Sequence, residues 1–325
     1  MNPLYPLRFR PLLKRAIWGG RRLSSHLNKL LGDGEDFAES WEIVDHGSDQ
    51  SVVEYGPLKD VPLRQIMEQH AAALLGQHAD FARFPLLFKF LDCNRSLSVQ
   101  VHPDDAYAAR LTPPDLGKTE AWVVLHAEPE ARIYAGLKRG FDRHAFEREV
   151  RRGATELCLH TIEPQVGDCL FIPAGTVHAL GAGLVVAEIQ QASDTTFRLF
   201  DWNRLGSDGH SRPLHIDRSL DVIDYEVGPV RPRTPQATEK PHVERLVACD
   251  KFVLDRWRIE QRHEIGGDDR CHIVAVLVGQ VHLANDPANQ PLGSGQTVLI
   301  PAATGPIELI PSGSAILLDM YLPSP

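Results

Sequence analysis

Cysteine is scarce in this chain of 325 residues, and no two of its five cysteines are spaced as C-x-x-C. They are scattered and odd in number, at positions 93, 158, 169, 249 and 271. This pattern argues against a disulfide framework. We therefore expect reduced cysteines in the core of a cytoplasmic protein.

Long hydrophobic runs are also missing. The longest, such as Leu184–Ile189 and Ile273–Val278, have the length of a strand and fall far short of the roughly 20 residues that span a membrane. The N-terminus is basic but has no continuous apolar segment, so it does not predict a signal peptide. We expect a soluble protein that does not bind a membrane.

The chain has no excess of positive charge: 34 Lys and Arg face 43 Asp and Glu, a net charge of −9. This balance argues against broad nucleic-acid binding, which needs a basic surface. It leaves room for an anionic small substrate, because a few cations at one site suffice to bind it. With 43% hydrophobic residues, the chain can bury the core of one large domain or two ordinary ones.

Helix signals are few. Segment 62–75 places its apolar residues on one helical face, begins with proline and ends before Gly76. Segment 142–152 has Asp142 as an N-cap residue and is followed by Gly153. A third, shorter helix is predicted within 103–111.

Short apolar or alternating runs separated by turn residues dominate the rest of the chain and predict strands. Many short strands with Gly and Pro turns indicate a barrel or a sandwich. The proline-rich polar stretch 228–241 is typical of a linker, and a second β-rich unit follows it. The pattern G-x-x-x-x-I-P occurs at 167–173 and again at 295–301, which indicates an internal repeat.

The strongest local signal is the pattern G-x5-P-x-G-x2-H from Gly167 to His178. It predicts a turn, a buried strand, a second tight turn, and a histidine at the start of the returning strand. That geometry points an imidazole into a barrel, although a histidine satisfied in an ordinary core is the alternative. The run matches the second signature of the cupin superfamily.

A second group of metal-binding residue types precedes this motif. Gln100 and His102 are two residues apart, so on a strand their side chains face the same side. Together with Glu120 and His178 they form a mixed oxygen and nitrogen donor set that suits Zn²⁺.

Several separate motifs, in order, resemble type I phosphomannose isomerase. They are LSVQVHP, GKTEAW, GDCLFIPAGTVHAL, VVAEIQQASDTTFRLFDWNR and LHIDRSLDVI, preceded by Lys14, Trp18-Gly-Gly20 and AESWE at 38–42. The resemblance spans residues 4 to 325 and is to the short bacterial form. It implies a mainly β fold of double-stranded β-helix (cupin) barrels. Residues 1–235 would form a catalytic barrel with flanking helices. Residues 236–325 would form a smaller barrel without metal, in which Pro306 replaces His178.

The resemblance also assigns roles to individual residues. The family's metal ligands match Gln100, His102, Glu120 and His178, although some short forms are described with only the two histidines and the glutamate. Its essential arginine matches Arg198, and an acidic residue in its pocket matches Glu188. Its substrate-binding residues match Ser98, Lys118 and Arg204.

The implied activity is a zinc-dependent aldose–ketose isomerisation of mannose 6-phosphate and fructose 6-phosphate through a cis-enediol, with one Zn²⁺ per chain. Arg198 would either stabilise the enediolate or clamp the phosphate. Glu188 would be the base, or a partner that orders an arginine or a metal ligand. Both a monomer and a homodimer are compatible with the sequence.

Two other functions use similar residues. A cupin Fe(II) dioxygenase also binds its metal through two histidines and a carboxylate, and a sugar-phosphate sensor would need no base. Lys118, Arg198 and Arg204 favour the isomerase over the dioxygenase, because an oxygenase acting on a neutral substrate does not need these cations.

Overall fold

A computed structural model describes residues 4–206 and 209–325, which are mainly β. The strands before residue 210 are β1 Phe9–Arg10, β2 Leu12–Gly20, β3 Phe37–Ile43, β4 Asp45–His46, β5 Asp49–Gln50, β6 Val52–Val53, β7 Leu86–Cys93, β8 Val99–Val101, β9 Glu120–Ala127, β10 Ile133–Leu137, β11 Leu159–Ile162, β12 Cys169–Ile172, β13 His178–Leu180, β14 Leu184–Gln191 and β15 Phe197–Phe200. Those after it are β16 Gln236–Ala237, β17 Val243–Ala248, β18 Val253–Ile259, β19 His263–Gly266, β20 His272–Val278, β21 Gln280–Leu283, β22 Leu292–Gly293, β23 Thr297–Ile300, β24 Pro306–Pro311 and β25 Ala315–Tyr321.

The α-helices are short, and each lies before residue 223: α1 Arg22–Leu27, α2 Leu63–Leu75, α3 Asp105–Ala108, α4 Arg143–Arg151 and α5 Ile216–Val222. None of these described helices has the length and apolar character needed to cross a membrane.

Two antiparallel sheets form the first half of the chain. One has the strand order β12-β9-β14-β7-β3-β2, and the other has the order β11-β10-β13-β8-β15. Apolar side chains from both sheets form one buried cluster, to which Trp122 and Val186 contribute from the first sheet and Ile133 and Leu180 from the second. The two sheets therefore pack face to face, and polar residues on their inner faces lie in a space bounded by both.

The outer face of the six-stranded sheet is equally apolar. Along β14, Val185, Ala187 and Ile189 point outward, and they share a core with helix α2. The alternate residue Glu188 points inward. Because β14 is covered on both faces, each of its residues is buried.

The second half repeats the strand order of the first. Its sheets run β23-β20-β25-β18-β17-β16 and β22-β21-β24-β19, so each strand from β16 to β25 has a counterpart in the first half. The two G-x-x-x-x-I-P motifs occupy equivalent positions, immediately before and along β12 and β23. Gly295 has φ +82, and a Cβ there would lie 2.2 Å from the carbonyl oxygen of Leu27, so only glycine fits. The observed order supports the predicted repeat.

The two halves share a core. Residues of β18, β20 and β25 join the same buried cluster as α2 and the outer face of β14. Leu7 and Leu299 also exchange two backbone hydrogen bonds, of 2.8 and 2.9 Å. The halves are therefore joined by buried apolar surface as well as by the segment 228–241.

Two of the predicted helices are confirmed. Helix α2 follows Pro62 and ends before Gly76. Helix α4 is capped by Asp142, whose carboxylate accepts a hydrogen bond of 2.8 Å from the backbone N–H of Ala145. The third is a single turn, α3, within the longer predicted segment. The four cysteines at positions 93, 158, 169 and 271 are free and buried, and Cys249 is free and partly buried.

Candidate active site

His102, Glu120 and His178 come together between the two sheets of the first half. Their donor atoms all lie within 4.8 Å of one another, and each residue is only 1% exposed. Glu120 begins β9 in one sheet, His178 begins β13 in the other, and His102 follows β8. Glu120 Oε1 lies 3.3 Å from His178 Nε2, and Glu120 Oε2 lies 3.6 Å from His102 Nε2.

Backbone carbonyls orient both imidazoles. Nδ1 of His102 donates to the carbonyl oxygen of Thr195, and Nδ1 of His178 donates to that of Thr176, each at 2.9 Å. The unprotonated Nε2 atoms are thereby turned toward Glu120, an arrangement typical of metal-binding histidines. Burial and the nearby Lys118 ammonium lower the pKa of both imidazoles, that of His178 to about 4. Neutral imidazoles and a carboxylate fit a divalent metal such as zinc.

Gln100 lies beside this cluster. It is the register partner of His178 across β8 and β13, and its amide nitrogen is 3.3 Å from His178 Nε2. Rotation of the amide by 180° brings its oxygen to the same point. The structure therefore brings His102, Glu120 and His178 together and places Gln100 beside His178.

Lys118 connects the metal-binding residues to a further carboxylate. Its ammonium pairs with Glu120 and lies 3.0 Å from His102 Nε2. It also lies 3.7 Å from Glu188 Oε1. The ammonium thus has an anionic partner outside the metal cluster as well as one within it.

Glu188 sits in a buried row of alternating charges. Lys89 Nζ lies 3.3 Å from Glu188 Oε1 and 3.1 Å from Glu39 Oε2. The indole N–H of Trp122 donates to Glu188 Oε2 at 3.1 Å. Burial, reinforced by the charge of Glu120, raises the pKa of the Glu188 carboxyl. Burial opposes the charge on Lys89, but Glu188 and Glu39 outweigh it and raise the pKa of Lys89, which stays protonated.

Arg198 is half-buried at the other side of Gln100. Its Nε donates to Ser98 Oγ at 3.3 Å, and its Nη1 donates to the carbonyl oxygen of Pro213 at 3.0 Å. Within the described ranges, no carboxylate lies within 4.0 Å of the Arg198 guanidinium. Burial and the positive charge of Arg212 lower the pKa of Arg198. Its charge is therefore available to an anionic ligand.

Arg212 and Arg204 share one carboxylate, that of the buried Asp201. Arg212 binds it through Nε at 2.8 Å and Nη2 at 2.7 Å, and Arg204 through Nη2 at 2.7 Å. Arg204 also donates to the carbonyl oxygen of Ser96. Arg212 lines the cavity described next, whereas Arg204 is not among its lining residues.

A cavity of about 310 Å³ joins these groups. Its lining includes the five sequence-predicted residues Ser98, Gln100, Lys118, Glu188 and Arg198. It also includes charged residues that the sequence analysis missed: Glu39, Lys89, Asp194 and Arg212. The buried His–Glu–His cluster lies directly behind Gln100 and Lys118, which contact it. One signal for Lys89 was available, because this lysine interrupts the apolar run LLFKFL of β7, whose eight residues are all buried.

Comparison with known proteins identifies the family. Residues 7–133 match the model of the phosphomannose isomerase type I catalytic domain. The chain is 32% identical to mannose-6-phosphate isomerase ManA of Bacillus subtilis, over 94% of this chain and 95% of that protein. It is 33% identical to mannose-6-phosphate isomerase of Streptococcus mutans, over 95% and 98%.

Comparison of the fold with solved structures indicates the same family. A crystal structure of mannose 6-phosphate isomerase from Bacillus subtilis superposes with a TM-score of 0.90 at 29% identity, covering 98% of this chain and 100% of that one. The chain therefore belongs to the type I phosphomannose isomerase family and is an isomerase.

Proposed function

We propose that this enzyme is a zinc-dependent isomerase that interconverts mannose 6-phosphate and fructose 6-phosphate through a cis-enediol. The observation that carries the proposal is the cavity itself. A buried His–Glu–His donor set lies at one end, and arginines with uncompensated charge lie at the other. The two relatives compared above are named mannose-6-phosphate isomerases, which supports the proposed activity.

The charges that line the cavity indicate the orientation in which the substrate binds. At the metal end, the two lysines Lys89 and Lys118 face three carboxylates, those of Glu39, Glu120 and Glu188. This end has no positive charge to spare for a phosphate until a divalent metal is bound. We therefore place the reacting carbons, C1 and C2, at this end.

The phosphate fits the opposite end of the cavity. Arg204 and Arg212 share the single carboxylate of Asp201, and Arg198 pairs with no carboxylate, so two positive charges stay uncompensated within the described part of the chain. A sugar phosphate near neutral pH carries close to two negative charges. Planar guanidinium groups also match phosphate geometry. We infer that Arg198 and Arg212, which line the cavity, bind the phosphate together with Ser98.

The metal would be held by His102, Glu120 and His178, with Gln100 as a fourth ligand. When bound there, zinc acts as a Lewis acid that stabilises negative charge on the substrate oxygens. The protein's part is to keep both imidazoles neutral and correctly oriented, through burial and the two carbonyl hydrogen bonds.

We infer that Glu188 moves the proton. Its raised pKa suits a carboxylate that accepts a proton from C2 and returns it to C1. Trp122 fixes one of its oxygens, while the other accepts no hydrogen bond from the described residues and faces the lysines. Lys118 can donate a proton or a hydrogen bond to the oxygen that becomes negative in the enediolate.

We further propose that residues 1–235 and 236–325 are two domains of double-stranded β-helix type, each built from one pair of facing sheets. The repeated strand order supports this division. In the second domain, Pro306 takes the register position of His178, which accounts for a barrel without the metal site. The free cysteines favour a cytoplasmic location.

Mannose 6-phosphate deuterated at C2 tests the reaction. Proton and deuterium NMR should show fructose 6-phosphate forming, with deuterium lost in part to solvent and in part transferred to C1. Complete retention of the label at C1 would indicate a hydride shift and contradict the enediol. Failure to form fructose 6-phosphate with zinc loaded would contradict the activity.

A further inference from the structure

The second half contains a polar cavity at the place that corresponds to the active site. Its volume is about 380 Å³, against about 310 Å³ for the active-site cavity. Its walls come from β17, β18, β19, β20 and β25, the counterparts of β3, β7, β8, β9 and β14 in the first half. The repeat therefore has a cavity at the corresponding place, lined by different residues.

Strand register identifies the replacements. Glu120 is paired with Ile172 in the first half, and the equivalent Ile300 is paired with His272 in the second. Glu188 pairs with Trp122, which lies two residues beyond Glu120. In the second half, Asp319 pairs with Val274, which lies two residues beyond His272. Asp319 therefore occupies the position of Glu188. Lys89 pairs with Glu188, and Asp255 pairs with Asp319, so Asp255 occupies the position of Lys89.

The metal ligands are lost in this exchange. Pro306 and Gly266, which pair with each other, stand where His178 and Gln100 pair in the first half. His272 is the remaining imidazole, and Asp319 and Asp268 bind its two nitrogens at 2.8 and 3.0 Å. Burial opposes the charge on His272, but these two carboxylates outweigh it and raise its pKa to about 9. A protonated imidazole has no lone pair for a metal.

The lining of the C-terminal cavity is balanced in charge. Its four acidic side chains are matched by three basic side chains and the protonated His272. The acidic residues are Glu239, Asp255, Asp268 and Asp319, and the basic ones are Lys240, Arg245 and Arg270. Unlike the arginine end of the active site, this cavity has no surplus of positive charge for a phosphate. A ligand without net charge suits it better.

Two buried groups in this wall still lack partners. The indole N–H of Trp257, a residue only 3% exposed, has no hydrogen-bond acceptor among the described residues. Asp319 binds His272 through Oδ1, and none of the hydrogen bonds within the same part of the chain involves its Oδ2. An unpaired buried donor destabilises the folded protein, so a ligand that accepts from the Trp257 indole would be stabilised.

We propose that the C-terminal cavity binds a neutral polyhydroxylated ligand of monosaccharide size. Hydroxyl groups both donate and accept, so one ligand can donate to Asp319 Oδ2 and accept from the Trp257 indole. The cavity is large enough, since the smaller active-site cavity is proposed to hold a hexose phosphate. This inference concerns a second site and does not depend on the activity proposed for the first.

Calorimetric titration of the full-length, zinc-loaded protein with D-mannose and with D-glucitol tests the proposal. We expect binding that Asp319→Asn weakens by at least ~10-fold, the loss expected for a hydrogen bond to a charged group. The matched control is Glu188→Gln, the equivalent change in the active-site cavity, which should leave this binding unchanged. Isomerase activity should in turn be unchanged by Asp319→Asn.

Trp257→Phe gives an independent measurement if Asp319→Asn does not fold, because it removes the unpaired N–H and keeps an aromatic ring. It should weaken binding several-fold at an unchanged melting temperature. The proposal is overturned if neither polyol binds the wild-type protein. It is also overturned if binding disappears in Glu188→Gln, which would place the sugar in the active-site cavity, or if Trp257→Phe leaves it unchanged. The polar network would then be structural only.

Discussion

Replacing Arg198 with alanine tests the direction in which the substrate lies. The guanidinium is half-buried beside Ser98 and reaches the metal-binding cluster only through Ser98 and Gln100. If it binds the phosphate, its loss weakens the substrate complex and the transition state alike. We therefore expect KM to rise while kcat changes little.

The size of the effect follows from the contacts. A charge-assisted hydrogen bond contributes roughly 1.5–3 kcal/mol, which corresponds to a fall in kcat/KM on the order of 10- to 100-fold. The cost to folding should be small. The variant loses two neutral-acceptor hydrogen bonds, to Ser98 and Pro213, and also loses the repulsion from Arg212. Zinc content should not change, because the Arg198 guanidinium donates its hydrogen bonds to Ser98 and Pro213 and not to a predicted metal ligand.

The assay is steady-state kinetics with mannose 6-phosphate and with unphosphorylated mannose, alongside zinc analysis and thermal melting. Arg204→Ala is the matched control, since this arginine pairs with the same Asp201 but does not line the cavity. Its kcat/KM should fall much less. For unphosphorylated mannose, Arg198→Ala should have little effect on either constant.

A different result would refute this reasoning. If kcat falls by on the order of 10²-fold with KM unchanged, Arg198 stabilises the enediolate, as a preorganised oxyanion donor would. If zinc content or melting temperature falls with activity, Arg198 is structural. Equal losses with mannose and mannose 6-phosphate would also exclude a phosphate clamp.

Four further outcomes are expected. His178→Ala should abolish stoichiometric zinc binding, measured by metal analysis, while the protein stays folded. If Glu188 in its carboxylate form is the base, activity should fall as pH drops through its raised pKa. Lys89→Met removes a cation that lowers this pKa, so the acid limb of the pH–kcat/KM profile should move to higher pH; an unmoved limb would count against Glu188. Phe90→Ala should cost about 3–5 kcal/mol in denaturant unfolding, whereas Leu30→Ala, at 95% exposure, should cost under about 0.5 kcal/mol. Residues 1–235 expressed alone should fail to unfold cooperatively, because the cut exposes the core shared with β18, β20 and β25; a sharp transition would contradict this.

The residues of the candidate metal site were predictable because their geometry is local. The motif that ends at His178 encodes a turn, a strand and a second turn, and Gln100 and His102 share a strand face. Each piece therefore specifies where its side chain points. Only the meeting of the pieces required the fold, and there the order of motifs in the family supplied the missing information.

The residues missed by the sequence analysis meet across long separations. Glu39 and Lys89 come from strands β3 and β7, and they are brought together by sheet pairing that no local pattern reveals. Arg212 lies in an irregular segment, and its position depends on the carboxylate of Asp201. Because neither feature leaves a periodic signal, both required the structure.

The helices also differ in how clearly the sequence predicts them. Helix α4 has a side-chain cap and helix α2 begins after a proline, and both were predicted. Helices α1 and α5 have six and seven residues and no side-chain cap, so their sequences offer little to distinguish them from loops. Strand β2 carries exposed and charged residues among its apolar ones, so no clear alternation marks it in the sequence.

The most direct test of the account is a zinc titration of the chelated protein, followed by the rate of fructose 6-phosphate formation from mannose 6-phosphate. We expect no activity in the metal-free protein and a linear rise to a plateau at one zinc per chain. His178→Ala should show no such rise. Full activity in the metal-free protein, or a plateau at two zinc ions per chain, would contradict it.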